Sequence, residues 1–211
     1  MTLPVRVMLV DDHAVVREGY RRLLEREPDI EVVGEAANAA QACEMARALC
    51  PDVVVMDIAL PGSSGIEAMR RMLTDRPLLR VLMFSMHDDA IFSTRALQGG
   101  ALGYLSKASA PEALLQAIRV VSRGERYVSP DVAANIARSA SAAGQSALET
   151  LTAREFEVLR LLLQGETVKD IGERLGLSEK TVANHQSAIR DKLGAKNSMQ
   201  LALLGARLGL A

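Results

Sequence analysis

Five side chains in this sequence could together handle a phosphoryl group. Asp11 and Asp12 follow the apolar run VRVMLV, Asp57 closes VVVM, Ser85 closes VLMF, and Lys107 comes shortly after GYL. A carboxylate abutting such a run must reach water, a metal or a positive partner, because burying it unpaired is costly. Three carboxylates brought within a few ångströms need a cation. All-oxygen ligation by few protein groups suits Mg²⁺, which keeps several waters and accepts a phosphate oxygen. Ser85 adds a hydroxyl donor, and Lys107 adds a mobile point charge. Phosphoryl transfer passes through a loose transition state, so positioning and charge neutralisation supply most of its catalysis. In that setting Asp57 reads as a nucleophile that takes a phosphoryl group onto its own carboxylate. Any one aspartate at a strand end is more often a helix cap or a solvated turn. Five fitting groups at four strand ends reverse that balance.

Those groups need a scaffold that gathers strand ends. Short β-branched or apolar runs occur at residues 5–10, 30–34, 52–57, 80–84 and 102–105. Segments with helical spacing separate them, such as Val16, Tyr20, Leu23 and Leu24, then Ala42, Met45, Ala46 and Leu49. Near-continuous apolar strands alternating with helices predict a parallel sheet covered on both faces. The fold expected for residues 1–124 is a five-unit (βα) domain of the α/β class. In open sheets of order 2-1-3-4-5, functional groups collect beyond the carboxyl ends of the strands, and strands 1 and 3 are neighbours there.

After Gly124 the character changes. Ser129-Pro130-Asp131 reads as the N-cap, N1 and N2 of a short helix. The stretch SASAAGQSA, residues 139–147, is small, polar and almost chargeless, as linkers are. Residues 125–147 are therefore read as a linker with a short helix. From residue 151 the chain reads as helical with no strand signal, within a domain taken as 148–211. Thr152 to Glu155 and Asn197 to Gln200 have capping-box form, and Gly165, Gly176 and Gly194 punctuate four expected helices. Ser178 caps the third of these, so two helices joined through a glycine turn predict a helix-turn-helix.

Composition excludes some classes. Apolar residues make up 49% of the 211, enough for real cores. No apolar run approaches the ~18 residues a membrane span needs. Arg6 interrupts the one apolar segment near the N-terminus, which argues against a secretory signal, so the expected location is cytoplasmic with no membrane partner. Cys43 and Cys50 are seven apart on a predicted helix, too far for a disulfide, and both read as helix packing. Residues 1–127 carry 15 basic and 17 acidic side chains, and residues 148–211 carry 9 and 8. Any nucleic-acid binding must then come from local placement of charge.

Residues 1–122 resemble the receiver domain of a two-component response regulator, through DDH (11–13), MDIALPGSSG (56–65), FSMHDD (84–89) and GYLSKASAPEAL (103–114). The resemblance implies that Asp57 is the phosphoacceptor, and that Mg²⁺ is held by Asp11, Asp12, Asp57 and the backbone carbonyl of Ala59. It also implies that Ser85 and Lys107 hold phosphoryl oxygens while Tyr104 acts as an aromatic rotamer switch. Ala59 and His87 fall where the family tunes the lifetime of the acyl phosphate. His13 reads as the start of the first helix.

Residues 148–211 resemble the LuxR-type helix-turn-helix, and the whole chain resembles a NarL/FixJ-type response regulator. Stepping by 100° from Val182 puts Gln186, Ile189 and Leu193 on the core side of the second helix of the pair. Lys180, Ala183, Asn184 and Ser187 then face outward. Lys180 and Asn184 can reach base edges and Ser187 can bond several groups, while Arg190, Lys192 and His185 suit phosphates. Thr181 joins this DNA-binding set. The family often carries a basic residue at Ala183 and an alanine at Gly172. Its last helix serves dimer contacts, and Leu201, Leu204 and Leu208 form a stripe there.

The expected function is that of a transcription regulator, not an enzyme. A sensor histidine kinase phosphorylates Asp57, and the protein then dimerises on double-stranded promoter DNA, with RNA polymerase as a further candidate partner. Two rival readings remain at this point. One is a phosphorylation-controlled adaptor whose helical domain docks on protein. The other is a haloacid-dehalogenase-like phosphatase, disfavoured because Ala59 stands where an acidic residue is needed.

Overall fold

The apolar runs become strands because each is flanked by helices that bury both of its faces. The computed structural model describes residues 3–61, 64–86, 90–139 and 150–207. The chain forms two compact units, residues 1–141 and 142–211.

In the first unit, strands β1 (Val5–Val10), β2 (Ile30–Ala36), β3 (Val53–Met56), β4 (Arg80–Ser85) and β5 (Gly103–Ser106) alternate with five helices. These are α1 (Ala14–Leu24), α2 (Ala39–Leu49), α3 (Gly65–Asp75), α4 (Ala90–Gln98) and α5 (Pro111–Ser122). All strand pairs are parallel, and the order is the expected 2-1-3-4-5. The sheet does not stop there. A sixth strand, β6 (Tyr127–Val128), pairs with β5, and α6 (Pro130–Ser139) follows it.

Alternation along the strands divides the core. Val7, Leu9, Val53, Val55, Leu82, Phe84 and Leu105 pack with Leu24, Leu114, Ile118 and Val121 of α1 and α5. All four residues of β3 are buried, as a central strand covered on both sides requires. Asn38 caps α2 by accepting from the Gln41 N–H, and Ser64 caps α3 by accepting from the Ile66 N–H.

Two expectations change here. Ser129 stands before α6 and its carbonyl accepts from the Ala133 N–H, but its buried Oγ has no partner among the described residues. It occupies the cap position without capping. Cys50 is exposed and ends α2 in a left-handed conformation, φ +48°, so it does no helix packing. Cys43 is half-buried, its Sγ 3.8 Å from the Ala68 carbonyl.

The second unit is helical: α7 (Ala153–Leu163), α8 (Val168–Leu175), α9 (Glu179–Leu193) and α10 (Ser198–Arg207). Phe156, Val158, Leu159, Ile171, Val182, Ile189 and Leu201 form its core. Thr152 and Glu155 make the expected capping box, and Thr167 and Asp170 make another. The box at Asn197 is half made. Asn197 Oδ1 accepts from the Gln200 N–H, but the Gln200 side chain turns to the Lys196 N–H instead. No helix among the described residues is long and apolar enough to cross a membrane.

Leu82 has no exposed surface at the centre of the sheet. Leu82→Ala is expected to cost about 2–5 kcal/mol, read as a lower urea midpoint for loss of the sheet-containing unit.

Candidate phosphoryl site and nucleic-acid interface

Parallel pairing of β1 with β3 sets Val10 beside Met56, so the residues that follow each strand emerge side by side. Asp11 and Asp57 are both buried there, 6% and 5% exposed. Lys107, just beyond β5, reaches back over the sheet edge. Its Nζ lies 2.5 Å from Asp11 Oδ2 and 2.6 Å from Asp57 Oδ2. Asp57 Oδ1 accepts from the Ile58 N–H at 2.7 Å, with the Ala59 N–H at 3.5 Å. Ser85 is fully buried, and its carbonyl accepts from the Lys107 N–H at 2.8 Å.

The charges do not balance. Burial is the largest influence on Asp57 and pushes its carboxyl up; Lys107 opposes this, and Asp11 adds to it. Burial would lower the Lys107 ammonium, but the two carboxylates outweigh it and hold it above its ordinary value. Asp12 is left outside this bridge. Its buried Oδ1 has no well-aligned hydrogen bond and lies 2.7 Å from His13 Nδ1.

Asp11, Asp12, His13 and Asp57 each offer a ligand atom, and these atoms all lie within 4.8 Å of one another. Three carboxylates beside one ammonium fit a hard divalent cation. His13 starts α1 as expected, at the N-cap position, with an extended backbone and an exposed side chain.

The close turn after β3 is a glycine requirement. The Gly65 N–H donates to the Ile58 carbonyl, and a Cβ on Gly65 would fall 1.8 Å from the Asp57 carbonyl oxygen. Tyr104 is completely buried on β5. His87 lies outside the described residues.

Sequence reasoning missed two supports of this site. Arg17 donates to the Asp11 carbonyl. Phe84 lies under the Lys107 ammonium, 6.0 Å from ring centroid to Nζ, and takes an edge-on contact from Tyr20. Phe84's place just before Ser85 was the available signal.

In the helical unit, Gly176 (φ +63°) turns α8 into α9, and Ser178 caps α9 by accepting from the Thr181 N–H. A Cβ on Gly172 would sit 2.8 Å from the Leu177 carbonyl, so glycine at this position matches a tight approach of the turn. Val182 and Ile189 face the core. Lys180, Ala183, Asn184 and Ser187 are exposed, and Thr181, His185 and Arg190 are half-buried. Burial holds the His185 imidazole below its ordinary value. Thr181 shares a hydrogen bond with the Ser178 hydroxyl at 2.8 Å.

Lys192 departs from expectation. Its ammonium sits 2.8 and 2.6 Å from the two carboxylate oxygens of Glu155, so it braces α9 to α7 inside the unit. A cleft of ≈ 370 Å³ beside the C-terminal end of α9 is lined by Ser187, Arg190, Asp191 and Lys196. Lys196 was not among the expected contacts. Leu201 is buried and Leu204 half-buried, while Leu208 lies outside the described residues.

Sheet order and acidic rim define a flavodoxin-like receiver, and the capped, glycine-turned helix pair defines a helix-turn-helix unit. Comparison with known proteins gives the same division. The family model for "Response regulator receiver domain" matches residues 7–119, and that for "Bacterial regulatory proteins, luxR family" matches residues 149–204. The chain is 36% identical over 208 residues to "Response regulator GacA" of Pseudomonas viridiflava, covering 98% of this chain and 97% of that one. A LuxR-family two-component response regulator from Aurantimonas sp. SI85-9A1 is 47% identical, with TM-score 0.64, over 66% of this chain and 99% of that one. A structure of two RcsB dimers bound to two parallel DNAs is 25% identical, with TM-score 0.63, over 97% and 98% of the respective chains. The protein belongs to the NarL/FixJ-type response regulators, transcription regulators in which a receiver domain precedes a LuxR-type DNA-binding domain.

The brace predicts a pH dependence. Burial works to raise the Glu155 carboxyl, but Lys192 and the Thr152 cap outweigh it and hold the carboxyl below its ordinary value. A depressed carboxylate stabilises the fold above its unfolded value and loses that contribution as pH falls through the folded one. Lys192→Met is expected to cost roughly 1–2 kcal/mol at neutral pH, discounted because the ammonium is partly exposed. Urea unfolding should show that gap between variant and parent closing as pH drops below about 4.5.

Proposed function

We propose that Asp57 is the phosphoacceptor of this regulator and that the capture of a phosphoryl group there drives dimeric binding to promoter DNA. The observation that carries this reading is the Lys107 ammonium, bridging Asp57 and Asp11 at 2.6 and 2.5 Å, beside carboxylates it cannot neutralise alone. In this reading residues 1–124 are the receiver, 125–147 connect, and 148–211 bind DNA.

The donor is a phosphohistidine on a sensor histidine kinase. A carboxylate oxygen of Asp57 attacks phosphorus, the P–N bond breaks, and the electron pair leaves with the imidazole, which takes up a proton. Asp57 Oδ1 is steadied by the Ile58 N–H, which leaves the carboxylate oriented before the donor arrives. Lys107 transfers its attention from the two carboxylates to a phosphoryl oxygen, and Ser85 bonds another. Asp11, Asp12, Asp57 and the Ala59 carbonyl would hold Mg²⁺, which supplies the charge neutralisation that loose phosphoryl transfer needs.

On DNA, Lys180, Ala183, Asn184 and Ser187 face the major groove, with Thr181, His185, Arg190 and Lys196 toward phosphates. A unit with 9 basic and 8 acidic residues has little non-specific attraction, so a single copy binds weakly. Two copies on half-sites one helical turn apart bind far better.

Asp57→Asn is expected to abolish the acid-labile mass gain of one phosphoryl group from acetyl phosphate and Mg²⁺, and to weaken retardation of promoter fragments. Undiminished labelling of that variant places the acceptor elsewhere. A chain that takes up phosphate yet retards no genomic fragment is an adaptor.

DNA affinity should fall with salt at a log–log slope of about −0.9 per phosphate neutralised. Arg190→Ala should reduce that slope by about one unit without changing operator preference. Fluorescence anisotropy across a salt series measures both, and a salt-independent affinity contradicts the DNA reading.

A further inference from the structure

Strand β1 stops at Val10, but the next residue stays half in the sheet. The Asp11 N–H donates to the Ala36 carbonyl at 3.1 Å. Its own carbonyl lies beyond the last paired residues of β1 and β2 and needs another donor. Arg17, in the first turn of α1, supplies one through Nη1. The carboxylate of Asp11 is fixed as well: Oδ1 accepts from the His13 N–H at 2.9 Å, and Oδ2 accepts from Lys107. Every polar atom of Asp11 is thus engaged.

Asp12 is held differently. Its Oδ1 lies 2.7 Å from Nδ1 of His13, whose side chain is 69% exposed, so its place depends on the backbone that carries it. The Asp11 carbonyl and the Asp12 N–H share one planar peptide. A donor that fixes this carbonyl therefore fixes the plane from which the Asp12 side chain departs. Arg17 is itself anchored. Its side chain is 16% exposed, and its Nε lies 3.5 Å from Glu35 Oε2, while Glu35 Oε1 accepts from Arg21 at 3.0 Å. Nε makes no well-aligned hydrogen bond among the described residues, so the directed bond of this guanidinium is the one to the Asp11 carbonyl.

Among the described residues the guanidinium pairs with Glu35 and with none of the three site carboxylates. A positive group this near a cation site opposes the cation by Coulomb repulsion. What Arg17 offers a bound ion is therefore geometry. Mg²⁺ demands near-octahedral oxygens at roughly 2.0–2.1 Å, whereas Ca²⁺ accepts irregular sets at roughly 2.3–2.6 Å. Groups that orient a ligand without touching the metal change its affinity by roughly 10- to 100-fold.

We propose that Arg17 is a positioning residue for the divalent ion: by holding the Asp11–Asp12 peptide it sets the Asp12 carboxylate for Mg²⁺ and makes the site favour Mg²⁺ over Ca²⁺. The inference rests on the reading that Asp11, Asp12 and Asp57 hold the ion. Arg17 acts through the peptide and contributes no ligand. Loss of its side chain has a sign that separates three roles. Removing a bystander charge would tighten cation binding. Removing a residue that only stabilises the fold would leave binding by the folded protein unchanged. Removing a positioning residue weakens it, and weakens the more exacting ion most.

Titration of the isotope-labelled full chain with Mg²⁺ and, separately, with Ca²⁺ tests this, followed by NMR through the amide signals of Asp12, His13 and Ile58. Arg17→Gln should weaken Mg²⁺ binding about tenfold and Ca²⁺ binding by less, while urea unfolding shows the variant still folded. Arg17→Lys keeps the charge but loses the planar fork, so it should weaken Mg²⁺ binding in the same direction by a smaller factor. Tighter or unchanged Mg²⁺ binding in Arg17→Gln overturns the positioning role, and an equal loss for both ions overturns the selectivity. Should Arg17→Gln fail to fold, Arg17→Lys decides, and unchanged Mg²⁺ affinity there overturns the proposal. A parent chain whose rim amides ignore Mg²⁺ overturns the reading of the metal site itself, whereas a parent that binds Mg²⁺ beside an unaffected variant overturns the role of Arg17 alone.

Discussion

Surplus negative charge at one end of a parallel sheet is the constraint on which the first unit depends. Asp11 and Asp57 are nearly dry, Asp12 stands next to them, and one ammonium, Lys107, serves the first two. At an effective dielectric near 20, each like-charge contact at about 4 Å costs roughly 4 kcal/mol. Lys107 offsets much of this for its two partners and nothing for the third. A site built only for stability would carry a second cation or one carboxylate fewer. The imbalance makes sense if a positive ion and a phosphoryl group come and go, because the carboxylates then bind what the fold itself withholds.

The second unit keeps the charges that hold it together apart from its outward face. Glu155 and Lys192 lock α7 to α9, and Thr167 and Asp170 fix the entry to α8. The outward face of α9 is left with short and polar side chains. The unit as a whole carries almost no net charge to attract a polyanion, with 9 basic and 8 acidic side chains in residues 148–211.

Much of this was legible in the sequence because it rests on strong local signals. Apolar runs of four to six residues gave the five main strands, and polar residues at their ends gave Asp11, Asp12, Asp57, Ser85 and Lys107. What escaped has identifiable physical causes. β6 is two residues long in the polar stretch GERYVSP, and it forms because the β5 edge offers unpaired backbone, which no periodicity announces. Lys192 lies where a helical wheel points toward phosphate, yet its long side chain bends back to Glu155, thirty-seven residues earlier in the chain. Cys50 ends a helix in the left-handed region that usually selects glycine, so helical spacing alone misplaced it. Arg17 belongs to none of the quoted motifs and is found only once the rim is assembled.

The topology also sets the edge from which the chain continues. Asp11, Asp12 and Asp57 directly follow β1 and β3, near the middle of the sheet. Tyr104 lies on β5 and Lys107 follows that strand directly, so the ammonium at the rim is tied to β5 through only a few residues of backbone. An edge strand has one free row of backbone donors and acceptors, and here the chain's own continuation takes it. A segment bonded to that edge shares whatever shift β5 undergoes, whereas one attached to β2 at the opposite edge would be separated from Lys107 by the whole width of the sheet. The same edge that a simpler domain would need to protect against stray pairing becomes the place where the receiver grips its connector.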